Sequence, residues 1–166
     1  MTAPLRHEYE QQYLAAWDVR RGQVFGRSER KGGIAPFDRL VHQVMTKAPY
    51  ASAPRVFWIV DNGSSHRGQA SIKRLRGRWP NLVPVHTPVH ASWINQVEIY
   101  FSIVQRTVLT PNDFDSLAQV ARRLNDFKQL YNQIAEPFGW KLTHHDLSQL
   151  PKRLAQREVR QFALAA

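Results

Sequence analysis

The run Val56-Phe57-Trp58-Ile59-Val60 is continuously apolar and stops abruptly at Asp61. A run of this length and evenness is expected to be a strand buried on both faces, as in a parallel or mixed sheet covered by helices. The chain is thereby directed toward an α/β architecture and away from a helical bundle or a β-sandwich.

The flanking segments agree with that class. Residues 12–19 and 23–28 read as two strands joined at Arg20-Arg21-Gly22, a β-hairpin. After Gly32-Gly33, residues 35–47 carry Phe37, Leu40, Val41, Val44 and Met45 at helical spacing. Residues 67–79 form a basic amphipathic helix with Ile72, Leu75 and Trp79 on its apolar side, and residues 82–86 another short strand. Ser92 is placed to cap a helix over residues 93–109. A long helix over residues 114–134 turns Leu117, Val120, Ala121, Leu124, Phe127, Leu130 and Tyr131 inward and Arg122, Arg123 and Lys128 outward. Residues 1–136 are expected to form one domain, with residues 137–166 a helical appendage of it.

Charge indicates the partner. Twenty-three Lys and Arg against 13 Asp and Glu give a formal charge of +10, and Arg predominates, which suits bidentate contact with phosphate oxygens. Cysteine is absent, so disulfides, thiolate metal sites and cysteine nucleophiles are excluded. No apolar run approaches the roughly 20 residues that span a bilayer, and no signal-peptide pattern opens the chain. A cytoplasmic protein is expected.

Within this cationic chain two carboxylates are isolated. Residues 62–97, thirty-six in all, contain no Asp or Glu, where the overall acid content leads one to expect about three. Asp61 and Glu98 bound that stretch, which carries Arg67, Lys73, Arg74, Arg76 and Arg78. Two acids inside a basic surface fit metal-dependent chemistry on nucleic acid: the carboxylates hold divalent ions while the cations hold the phosphate backbone. Asp61 ends a strand, the usual place for function in open α/β folds. Glu98 flanks an apolar stripe of Trp93, Val97, Phe101, Val104 and Val108, alongside Asn95 and Ser102, and can point along the sheet edge toward Asp61. Oxygen ligands favour Mg2+ or Mn2+, and neither acid has the Cys or His company expected of zinc. His86 and His90 have zinc-like spacing, but Pro88 between them breaks the helix that would align them. Ser64-Ser65-His66 reads as a turn rather than a nucleophile and its base.

The segments from Phe57 through Asp61-Asn62-Gly63-Ser64-Ser65-His66-Arg67-Gly68, and His90-Ala91-Ser92-Trp93-Ile94-Asn95-Gln96-Val97-Glu98, closely resemble DDE transposases of the insertion-sequence 630 branch of the Tc/mariner superfamily. The first resembles the family's strand carrying the second catalytic acid, and the second its helix carrying the third. The likeness runs over residues 7–150. It implies a ribonuclease-H-like mixed sheet flanked by helices, with Asp61 and Glu98 binding magnesium at transposon-end DNA. Asn62, His66 and Asn95, which belong to the two motifs, are implied to support the carboxylates.

The family's first acid lies on a strand upstream of the hairpin that residues 12–28 resemble, so that strand, its Asp and the helix-turn-helix before it are expected to be missing. The missing strand would be central, between the strand of residues 12–19 and the one ending at Asp61, leaving two apolar edges unpaired. Three readings stay open: a transposase fragment inactive alone, completed by a full-length transposase, a homo-oligomer or an upstream fragment; a non-catalytic DNA-binding or assembly module; and a structure-specific nuclease that uses Asp18 as its further acid.

Overall fold

The computed structural model describes residues 11–88, 96–110 and 113–137. It begins with strands β1 (Gln12–Asp18) and β2 (Gln23–Glu29), paired antiparallel with Gln12 opposite Glu29 and Asp18 opposite Gln23. The turn closes on Asp18, whose carbonyl accepts the amides of Arg21 and Gly22 at 3.2 and 2.8 Å. Gly22 has φ 71°, and a Cβ there would collide with the backbone of Glu136. Only glycine satisfies both demands.

Helix α1 (Ile34–Met45) follows, then β3 (Val56–Val60), α2 (Gly68–Arg78) and β4 (Leu82–His86). β3 and β4 run parallel with Val56 opposite Leu82 and Val60 opposite His86, so α2 is the crossover of a βαβ unit. Helices α3 (Val97–Thr107) and α4 (Leu117–Gln133) complete the described elements. None of these helices is long and apolar enough to cross a membrane.

Two apolar clusters hold the elements together. In the first, Phe37, Leu40, Val41, Val44 and Met45 of α1 bury against Trp58 and Val60 of β3, Leu75 of α2 and Leu82 of β4, with Leu14, Ala16 and Phe25 of the hairpin packed on them. α1 thus touches both strand pairs. In the second, Val24 packs with Tyr100, Val104, Val108 and Leu124, flanked by Tyr13, Ala15 and Trp17. Successive β1 residues face the two clusters in turn, as a strand period of two requires.

The described strands form two separate two-stranded sheets, β1–β2 and β3–β4, the arrangement expected where no strand lies between β1 and β3. Other expectations need correcting. Strand β3 is not buried on both faces: Trp58 and Val60 are covered, whereas Phe57 and Ile59 are 63% and 51% exposed and Val85 of β4 is 42% exposed. The cause lies in helix placement. α1 and α2 cover one face of this pair, while α3 packs on β1 and α4 on β2. In α4, Leu130 is exposed rather than inward, and Lys128 bends onto β2, its Nζ donating to the Gly26 carbonyl at 3.4 Å and to Asn125 Oδ1 at 2.9 Å. The start of α4 is set by Ser116, whose Oγ accepts the Gln119 amide while Gln119 Oε1 accepts the Asp115 amide. This is a variant of the capping box, and it starts the helix later than residue 114.

Candidate metal and nucleic-acid site

Parallel pairing brings the carboxyl ends of β3 and β4 to one edge, where Asp61 follows Val60 and Thr87 follows His86. The two exits are tied together. The Thr87 amide donates to the Val60 carbonyl at 2.9 Å, and Asn62 Nδ2 donates to the Thr87 carbonyl at 2.9 Å. Asn62 therefore supports the Asp61 loop by fixing it to the end of β4.

The loop then folds back on its own acid. Asp61 Oδ1 accepts the Gly63 amide at 2.9 Å, and the His66 amide donates to the Gly63 carbonyl at 3.2 Å. His66 Nε2 reaches the same Oδ1 at 2.5 Å, and its Nδ1 lies 3.0 Å from Ser65 Oγ. The imidazole packs against the Phe37 ring of α1, with centroids 4.7 Å apart, and is nearly covered. His86 Nε2 binds the His66 carbonyl at 2.7 Å. Asp61 itself remains about half open to solvent. Burial pushes its carboxyl pKa up, but hydrogen bonds from His66 and the Gly63 amide, with the nearby imidazole charge, outweigh that and hold it below the ordinary carboxylate range.

His66, which its motif places among the supporting residues, stands against Asp61, so the acid has one histidine neighbour that the argument against zinc did not count. His66 lies five residues on, outside helical or strand spacing, and only the turn at Gly63 brings the ring back. Ser65, His66 and Asp61 do form a hydrogen-bonded chain. Its serine and histidine are adjacent in sequence and belong to the turn itself.

Glu98 lies in the first turn of α3 on an exposed position, two residues before the buried Tyr100. The buried stripe of this helix is Tyr100, Val104 and Val108, with Val97 and Phe101 partly covered. Among the described residues no group of three or more His, Asp or Glu stands close enough to hold a metal. Asn95 and His90 lie outside the described residues.

The basic residues divide by environment. Arg67, Lys73, Arg76 and Arg78 are exposed on or beside α2, Arg78 lying over the Trp79 ring. Arg74 behaves differently. Its Nε faces both Asp38 carboxylate oxygens at 3.2 and 3.1 Å, and its Nη2 donates to the Ser65 carbonyl at 2.8 Å. This guanidinium joins α1, α2 and the Asp61 loop, and its charge is already paired.

Asp18 is likewise committed. Its Oδ1 accepts the amides of Arg20 and Arg21, and its Oδ2 accepts the Tyr50 hydroxyl at 2.5 Å. Serving the hairpin turn on one oxygen and Tyr50 on the other, it is a structural acid, which removes the basis for casting it as a further metal ligand.

The architecture is mixed α/β, with small sheets and a strand-end acid beside exposed cations, consistent with a DDE nuclease fold. A family model described as DDE superfamily endonuclease matches residues 3–121, and the chain belongs to that family. Searches of curated proteins and of solved structures give no match.

Proposed function

We propose that the chain is the carboxy-terminal part of the catalytic domain of a DDE transposase of the insertion-sequence 630 branch of the Tc/mariner superfamily, ribonuclease-H-like in fold and inactive on its own. The observation that carries this reading is Asp61, an anionic, half-open carboxylate on a braced loop at the carboxyl edge of a parallel strand pair, next to the exposed cations of α2. Family membership supports phosphodiester cleavage as the reaction class, and the proposal adds strand transfer on transposon-end DNA.

The residues present fit a divalent ion. Asp61 is ionised at neutral pH and accessible, and Gly63 leaves open the space beside it that a side chain would fill. Asp61 and Glu98 would hold Mg2+ or Mn2+, whose Lewis acidity activates a hydroxyl nucleophile and stabilises the leaving oxygen. Arg67, Lys73, Arg76 and Arg78 bind the DNA backbone. If all four contact phosphates, log affinity falls with log salt at a slope of roughly −3.6. Arg74 and Asn62 keep the loop in place.

The free edges of β1 and β3, and the absence of a three-acid cluster among the described residues, support completion by a further strand and carboxylate from outside those residues. A full-length transposase, another copy of the chain or an upstream fragment can supply both. The same lack of a complete cluster favours, as a second reading, a DNA-binding or assembly module without catalysis.

Cleavage of labelled DNA by the purified chain in Mg2+ or Mn2+, beside Asp61→Ala and Glu98→Ala, tests the proposal. A folded chain that binds DNA without cutting it, and cuts only when a strand donor is added, is expected. Cutting by the chain alone, lost in both variants, would show that the site is already complete. Failure of every strand donor to restore cutting would leave the assembly module.

A further inference from the structure

We infer that His66 is a metal ligand beside Asp61, so that the ion's donors include an imidazole nitrogen as well as carboxylate oxygen and the site prefers Mn2+ to Mg2+. This rests on the reading of Asp61 as the metal-holding acid and deepens it.

Geometry carries the assignment. His66 Nε2 and Asp61 Oδ1 converge to 2.5 Å from opposite ends of one tight turn. Two donors on one ion, each at roughly 2.1 Å and at right angles, stand about 3 Å apart. Half an ångström of separation therefore turns this hydrogen bond into a chelate. The Gly63 position leaves room beside the pair: a Cβ there would lie 3.0 Å from Asp61 Oδ1 and 3.1 Å from His66 Nε2.

The surroundings of the ring suit a ligand. A metal-bound imidazole has its other nitrogen fixed by a hydrogen bond that sets tautomer and orientation, and Ser65 Oγ stands 3.0 Å from His66 Nδ1. A hydroxyl serves both states. It accepts from Nδ1–H both while Nε2–H points at Asp61 and once Nε2 gives its lone pair to the ion. The Nε2 proton leaves to solvent as that lone pair goes to the ion, and Nδ1–H stays with Ser65 Oγ. Phe37 holds the ring plane, and Arg74 and His86 bind the carbonyls of Ser65 and His66, so the ring is positioned before any ion arrives. A nitrogen donor disfavours Mg2+, which binds through oxygen, relative to a transition ion that accepts imidazole.

The test is Mn2+ binding to the full chain, followed by electron paramagnetic resonance, with pulsed detection of nitrogen coupling in protein labelled with 15N-histidine. A 15N coupling on bound Mn2+ is expected, unchanged in His42→Ala and lost in His66→Gln. The glutamine keeps a donor toward Asp61 but supplies no imidazole, and affinity should fall by roughly tenfold or more. Mn2+ bound in an Asp61-dependent way without nitrogen coupling, or with full affinity in His66→Gln, would overturn the ligand assignment and leave Asp61 as the metal acid. No binding by the wild-type chain would overturn both.

Discussion

Replacing Arg74 and Arg76 in turn separates two roles that the sequence assigns alike. Arg74 makes charge-assisted contacts to Asp38 and donates to the Ser65 carbonyl, with both charged side chains less than a third exposed. A partly screened ion pair is worth up to about 1 kcal/mol and the added hydrogen bond about as much, so Arg74→Ala should cost roughly 1–2 kcal/mol. For a chain of this size that lowers the melting temperature by roughly 2–8 °C. Arg76 is exposed at the end of α2. Arg76→Ala should leave the melting temperature nearly unchanged, but should weaken DNA binding at all sequences and reduce the salt slope by about one. Thermal denaturation by circular dichroism and fluorescence anisotropy on duplex DNA at several salt concentrations provide both readouts. If Arg74→Ala melts like the wild type and loses the same salt slope as Arg76→Ala, the structural role given to Arg74 is wrong.

Gly63→Ala should weaken Mn2+ binding in calorimetry, because the added methyl forces Asp61 or His66 to move by a few tenths of an ångström. Tyr100→Phe removes the 3.1 Å hydroxyl contact with Tyr13 and should cost about 0.5–1.5 kcal/mol in chemical denaturation, whereas Tyr100→Ala opens the second cluster and should cost about 3–5 kcal/mol. Burial raises the phenol pKa of Tyr100 and Tyr50, reinforced by Tyr13 and Asp18 respectively. Their contribution to stability should persist up to the unfolded tyrosine pKa near 10 and decline above it, with absorbance near 295 nm showing these phenols ionising late.

Much of the fold is legible in the sequence because periodicity and burial agree locally. The runs at Val56–Val60 and Leu82–His86 are strands with those bounds, and α1 buries the five apolar residues its spacing picks out. What depends on distant partners is not legible. Phe57 and Ile59 are apolar enough for a two-sided core, but whether a layer covers them depends on where α3 and α4 dock. In the site, Asp61 is visible as a carboxylate ending an apolar run, and Asn62 as its neighbour. His66 is harder to assign, because its contact depends on a turn whose closure is a matter of three-dimensional geometry. Arg74 is indistinguishable in sequence from Arg76 and Arg78, since its partner Asp38 lies 36 residues away. The late start of α4 had a local signal, the Ser116 and Gln119 pair, that outweighs the preceding apolar Phe114.

Substituting Fe2+ for the divalent ion and mapping where hydroxyl radicals cut the polypeptide tests most directly whether Asp61 and Glu98 form the metal centre. A shared centre predicts cuts confined to the segments around Asp61 and Glu98, suppressed by excess Mn2+ and lost in Asp61→Ala. Cuts distributed elsewhere, or unaffected by Asp61→Ala, would contradict it.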